Sequence, residues 1–206
     1  MGDSLNDIRN EYIAYSNKIG NRIDMYREVI KKYNIHSILY PGSHIDISPS
    51  FLVPNVIYVD SFKGTKHFFN LKDDIINFIE EKREYDKKVD LSFYGIDYNE
   101  HLDINKVDMI ISQFAGFVGQ VSKKYLKKNG ILLCNDSHGD ATLAYMDDDY
   151  EFIGVINHNN LIEFDNLSKY FKFKRERDID LKKVKETMKG PKYIKRAKSY
   201  IFQLVR

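Results

Sequence analysis

Three groups of residues have types and spacings that could do chemistry. Gly42 stands in "YPGS" at the end of an apolar run, and Asp60 closes the next apolar run, "NVIYVD", 18 positions later. A glycine lets a ligand approach the backbone with no Cβ in the way. A carboxylate closing the following strand can accept hydrogen bonds from both ribose hydroxyls, so this spacing suggests a nucleoside-binding βαβ unit. The second group is "NDSHGD" (135–140), whose Asp136, His138 and Asp140 could act as a base or as oxygen and nitrogen ligands for a divalent ion. Loops of this composition are also simply good turns. The third group is basic. Residues 169–206 hold 14 Lys/Arg against 4 Asp/Glu, and residues 1–168 hold 18 against 26. That asymmetry suggests a contact with something acidic, against the alternative of a solvated surface that offsets the charge of the rest.

Alternating strands and helices must position these groups. Residues 5–33 carry apolar positions at three- and four-residue steps, which predict a helical cap of one or two helices over 1–35 with Gly20 as a break. "SILYPG" and "NVIYVD" read as strands, followed by a helix over 71–85, a strand in "VDLSFYGID" (89–97) and another in "VDMIIS" (107–112). A helix is expected over 115–128, ended by Asn129-Gly130 in the manner of a left-handed cap, with "ILLCND" next as a strand buried on both faces. Between the first two strands Ser48 could cap a helix with Pro49 at its first position, but Pro54 limits it to little more than a turn. "YEFIGVI" (150–156) and the terminal "SYIFQLVR" (199–206) are further strands, "MDDDYE" (146–151) is read as a solvated loop, and "DLKKVKETM" (180–188) as helical.

The pattern is that of an α/β chain with a mostly parallel twisted sheet of about seven strands and helices on both faces. The domain spans 36–206, with a basic insertion at about 157–198. At 206 residues it can bury one substantial core. The single cysteine, Cys134, excludes an internal disulfide and fits a reducing compartment. The start is polar and no run reaches the roughly 18 apolar residues of a membrane span, so a cytoplasmic placement with no membrane partner is expected. Cys134 lies inside an apolar strand and is not read as a nucleophile.

On these segments the sequence resembles the class I (Rossmann-like) S-adenosylmethionine-dependent methyltransferases. "YPGS" stands where their glycine-rich first motif falls, and "VIYVD" is similar to their second strand with its ribose-binding acid. "VDMIISQFAG" resembles their fourth strand and the substrate-side loop, and "YLKKNGILLCND" their next helix–turn–strand. "SYIFQLVR" looks like their antiparallel last strand. The resemblance implies S-adenosylmethionine as cofactor, bound by Tyr40, Pro41, Gly42, Ser43, Asp46, Asp60, Ser61, Asp97 and Ser112. It places Gln113 and Phe114 beside an acceptor. If "YEFIGVI" runs parallel to the earlier strands, Lys172, Lys174 and Arg175 leave from the ligand face too, with Tyr170, Phe171 and Phe173 able to stack on bases. The acceptor is left open, with a nucleic acid as one acidic candidate, and His138 and Asp136 as its base. The first motif departs from the family's pattern: Tyr40 takes the place of an acid, and His44 and Asp46 stand near the places of later glycines. Asp46 is expected to replace the missing carboxylate in holding the methionine amino group. Two alternatives remain: a methyltransferase-like binding protein without catalysis, and another nucleotide-binding Rossmann protein using NAD. No metal is expected as cofactor, and oligomeric state is open.

Overall fold

A computed structural model describes residues 2–206, with side chains from Leu5 onward. The chain forms two compact units, Met1–Leu102 and Asp103–Arg206. In the first, helices α1 (Gly2–Ile19) and α2 (Ile23–Tyr33) are separated where Gly20 and Asn21 both take positive φ. The break is where the apolar spacing placed it. α2 buries Met25, Tyr26 and Val29 and ends on Asn34, whose left-handed backbone lets its N–H reach the Ile30 carbonyl. Strands β1 (Ser37–Pro41), β2 (Asn55–Val59) and β3 (Asp90–Tyr94) lie in the order β3-β2-β1, all parallel.

The connection after β1 holds only a 3-10 turn, Ser48–Phe51, as Pro49 and Pro54 require. Ser48 does not cap it; the residue before the turn is Ile47, and the Ser48 hydroxyl bonds Asp46 instead. After β2 come α3 (Lys63–Phe69) and α4 (Lys72–Lys82). α4 stops short of the expected 85 because Arg83 turns extended and donates to the Tyr85 and Lys87 carbonyls.

In the second unit β4 (Val107–Ser112) pairs parallel with β5 (Leu126–Cys134). The expected helix over 115–128 is replaced by α5 (Val118–Val121), a 3-10 turn at 123–125 and the start of β5. Phe114 and Gly116 take positive φ, which no α-helix accommodates, and Gly119 packs its backbone onto Leu132 and Asp140. Asn129 is left-handed as expected, but inside the β4–β5 irregularity and not at a helix end. α6 (Asp140–Tyr145) leads to β6 (Tyr150–Ile156), β7 (Ile162–Glu163), α7 (Leu181–Thr187) and β8 (Ser199–Leu204). The order here is β4-β5-β8-β6-β7, with β8 antiparallel to both β5 and β6. β6 therefore runs in the direction of β5, the condition set for residues beyond 156 to leave from the carboxyl edge of β4 and β5. β7, last in that order, is a two-residue edge strand beyond the seven expected. The fold is Rossmann-like α/β, its parallel strands followed by an antiparallel C-terminal set.

The loop 146–149 is more than solvated: Lys123 Nζ pairs with Asp147 (2.7 Å) and Asp149 (2.6 Å). Tyr170 and Phe171 are buried, stacked among Tyr145, Phe152, Tyr200 and Phe202, so they are core residues and not base platforms. Among the described residues no helix is long and apolar enough to cross a membrane.

The C-terminal segment is pinned to the β5–α6 loop by glycines. At Gly139 (φ 96°) an added Cβ would lie 2.4 Å from Val184 Cγ1. Gly139→Ala should combine backbone strain with this clash and cost about 2 kcal/mol or more, roughly 4–8 °C in Tm by thermal denaturation.

Candidate functional site

In the first unit the turn after β1 is tied to the end of β2. Pro41 ends β1 buried, and Gly42, at φ 65°, donates its N–H to the Val59 carbonyl (2.7 Å). Ser43 is buried with its hydroxyl on the His44 carbonyl. Asp60 then clamps both neighbouring segments: one oxygen accepts from His44 N–H (2.9 Å), the other from Phe62 N–H (2.8 Å). An ionised carboxylate offers about four acceptor positions. Half-exposed Asp60 thus keeps capacity for two hydroxyl donors while its rotamer is fixed. The His44 ring is sandwiched between Tyr15 (centroids 4.5 Å) and Phe62 (5.5 Å), and burial holds its imidazole below the ordinary range, hence neutral at pH 7. Phe62 is 58% exposed, so its outer face is free to take a planar group. Ser61 is exposed beside it. Asp97 is exposed beyond β3, accepting from Asn99 within its own turn.

Asp46 does not serve as expected. It is 1% exposed, and its Oδ2 accepts from Tyr26 (2.9 Å) and Tyr40 (3.1 Å) while its Oδ1 accepts from the Ser48 hydroxyl (2.6 Å). Arg22 adds an ion pair at 3.8 Å and donates to the Tyr40 hydroxyl. A carboxylate so enclosed has no oxygen for a ligand ammonium. Tyr40 is equally enclosed, so neither residue faces the turn's solvent side. Burial pushes the Tyr26 and Tyr40 hydroxyls well above their ordinary range, with the Asp46 charge adding to it. For Arg22 burial opposes the charge, but the neighbouring hydroxyls and Asp46 outweigh it.

In the second unit Ser112 and Cys134 end β4 and β5 side by side. The Ser112 hydroxyl donates to Asp140 (2.5 Å), and both Asp140 oxygens accept from Gly119 N–H (3.0 Å each). Buried Ser112 thus turns to the protein. Gln113, Asn135 and Ser199 form a buried polar group at the same edge: Gln113 Oε1 accepts from Asn135 (3.1 Å) and its Nε2 donates to Ser199 (3.2 Å). Phe114 follows with left-handed backbone and 61% exposure, so it is not core. A bulky residue held at positive φ stores strain of order 1–3 kcal/mol, a feature that concentrates at ligand clamps.

The carboxylates of "NDSHGD" are spent on structure. Asp136 accepts from the Thr142 N–H (2.7 Å) and hydroxyl (2.9 Å), tying down the first turn of α6. His138 is half-buried with Nδ1 3.0 Å from the Ser137 hydroxyl. Among the described residues no three His, Cys, Asp or Glu side chains come together as a metal-ligand group. Cys134 is wholly buried, and burial pushes its thiol up. Lys172, Lys174 and Arg175 are exposed. Asn135 and Ser199 escaped the sequence reading. Their signal was positional, as the first residue past β5 and the first of β8.

No protein-family model matches the chain, and no curated protein matches it. Among solved structures, TehB from Haemophilus influenzae superposes with a TM-score of 0.52 at 13% identity, over 88% of this chain and 61% of TehB. The N-methyltransferase NodS from Bradyrhizobium japonicum WM9, in complex with S-adenosyl-L-homocysteine, gives 0.40 at 12% identity, over 59% of this chain and 62% of NodS. An rRNA methylase from Streptococcus thermophilus gives 0.48 at 11% identity, over 91% and 96%. Against three of the matching structures this chain spans 39%, 62% and 61% of their length. At these identities the likeness is one of fold.

Two outcomes follow from the buried carboxylates. Asp46→Ala removes the buried acceptor shared by Tyr26, Tyr40 and Ser48 together with the ion pair to Arg22, and should destabilise the protein by about 3–5 kcal/mol in denaturant titrations. Burial raises the Asp140 carboxyl to about 7 and the Asp136 carboxyl to about 6, against roughly 4 in an unfolded chain. Between about pH 4 and 7 the folded protein therefore binds protons that the unfolded chain has released. Stability should be greatest below that window and fall as pH rises through it. Asp140→Asn should flatten the upper part of that slope in denaturant titrations at several pH values.

Proposed function

We propose that this chain is an S-adenosylmethionine-dependent methyltransferase. The observation that carries the reading is Asp60, a half-exposed carboxylate closing β2 beside the Gly42 turn, locked by two backbone N–H groups and flanked by the open ring of Phe62. These residues fit the adenosine half of the cofactor: Asp60 accepts from the ribose hydroxyls and Phe62 lies against the adenine. The methionine half finds no acid here, because Asp46 and Tyr40 are closed off by Arg22, Tyr26 and Ser48. When bound, the cofactor supplies a methyl group on an electrophilic sulfonium. The chain's part is then positioning, since an in-line displacement gains most from holding the acceptor in line. In the second unit Phe114 is an exposed aromatic ring just past β4, and Gln113, Asn135 and Ser199 are bonded to one another, buried at the same edge.

A second reading, a methyltransferase-like binding protein without catalysis, is favoured by the enclosure of Asp46. Calorimetry separates the readings: S-adenosylmethionine and S-adenosylhomocysteine should bind and NAD should not, and methyl turnover on any acceptor excludes the second. Asp60→Ala should weaken S-adenosylhomocysteine binding roughly ten- to hundredfold. Unchanged affinity would move the site elsewhere.

A further inference from the structure

The C-terminal unit carries a pocket of about 590 Å³ between residue 173 and α7 with the segment that follows it, within the roughly 300–1,000 Å³ typical of small-ligand sites. Its apolar wall is Phe173, Val184 and Pro191, and four cations line it: Arg177, Lys183, Lys189 and Lys192. Asp178 and Asp180 line it too, which leaves two positive charges in excess (four minus two). Asp180 is engaged in accepting from the Lys183 N–H at the start of α7. None of the four cations pairs with a carboxylate among the described residues; in this stretch Lys182 and Glu186 do so at 3.8 Å.

The wall is built, not incidental. Arg177 lies over the Phe173 ring at 4.1 Å, and Phe173 packs on Tyr193 at 5.0 Å. Tyr193 is buried and its hydroxyl meets Thr142 Oγ1 at 3.0 Å. Thr142 in turn holds Asp136, so the Arg177–Phe173–Tyr193 stack is anchored in α6. The back of the pocket is fixed as well: a Cβ at Gly190 would fall 2.1 Å from the Asp136 carbonyl oxygen. A rigid cation-on-aromatic platform beside uncommitted lysines matches a ligand with a planar face and a nearby phosphate. A duplex keeps its bases stacked inside, whereas an unpaired strand offers both parts at once.

We propose that this pocket binds a short stretch of a single-stranded nucleic acid, one base on the Phe173–Arg177 platform and the phosphates of that nucleotide and its neighbours on Lys183, Lys189 and Lys192. The site rests on the C-terminal unit alone and stands whether or not the cofactor reading does. In the test, the full chain is titrated into a fluorescein-labelled single strand of about 15 nucleotides and read by anisotropy. With three phosphate contacts, affinity should fall about twentyfold between 50 and 200 mM salt. Lys183→Gln/Lys189→Gln/Lys192→Gln should lower the log–log salt slope by about 2. Phe173→Leu should weaken binding about fivefold or more at an unchanged slope, and Phe173→Tyr should restore it. An abasic strand should bind wild type no better than the normal strand binds Phe173→Leu. Thermal melts of each variant separate lost binding from lost folding, and the Tyr variant keeps the test alive if Leu fails to fold. The proposal falls if wild type shows no salt-sensitive binding, or if abasic or duplex DNA binds as well as the base-bearing strand. It also falls if Lys87→Gln/Lys88→Gln, at exposed sites in the first unit, costs as much affinity as the pocket lysines. S-adenosylhomocysteine is absent throughout, so this outcome and that of the calorimetry are read separately.

Discussion

The first unit depends on one buried charge. Asp46 sits among Tyr26, Tyr40, Ser48 and Arg22 with a hydrogen bond or ion pair to each. In a low-dielectric interior an unpaired carboxylate is prohibitively costly, so each partner must be held in place for the others to be tolerated. That requirement joins α2, through Arg22 and Tyr26, to β1, through Tyr40, and to the connection after β1. The helical segment at the N-terminus is therefore part of the wall behind the turn. With no room for a helix after β1, the short 3-10 turn presents Ser48 to the same carboxylate.

The second unit solves a similar problem at the edge of β4 and β5. Asp140 joins the last residue of β4 to α5, and Asp136 joins the loop after β5 to α6. Their carboxylates hold a rigid edge, behind which Gln113, Asn135 and Ser199 are buried and from which the ring of Phe114 stands out on a left-handed backbone. The C-terminal segment then closes over the Asp136 loop, and Gly139 and Gly190 allow that approach because a side chain at either would collide with it.

Much of this fold was legible in the residues. Continuous apolar runs gave β1, β2, β4 and β5 because strands buried on both faces need no alternation. Pro49 and Pro54 foretold the stunted connection, since proline acts locally. The helix over 115–128 failed for the opposite reason. Its apolar spacing was helical, but Phe114 and Gly116 adopt positive φ and Gly119 is pulled onto Asp140, contacts that local propensity cannot register. α3 passed unnoticed although Thr65, Phe68 and Phe69 bury one face, because seven residues show too little of a period. At the site, Asp60 was identifiable from its position at a strand end. Asp46 was misread because a sequence shows a carboxylate near a turn but not the tyrosines and arginine that reach it from another helix. Tyr170 and Phe171 were misread likewise: interleaving with lysines suggested an open face, yet the aromatic sheet face of β6 and β8 takes them in.

The enclosure of Asp46 also bears on what the turn can recognise. Its charge is neutralised by Arg22, so in the first unit's turn Asp60 is the carboxylate left half-exposed. A cationic ligand end gains little from a carboxylate that is already paired and dry, whereas a ribose gains two charge-assisted hydrogen bonds from one held rigid in place. Under the methyltransferase reading, affinity in this unit is therefore concentrated on the nucleoside half of the cofactor. The depleted glycine motif agrees with that division, because S-adenosylmethionine carries no phosphate and needs no full nest of backbone N–H groups. One positive-φ glycine at position 42, with its N–H already given to Val59, suffices to bring backbone close to a ribose.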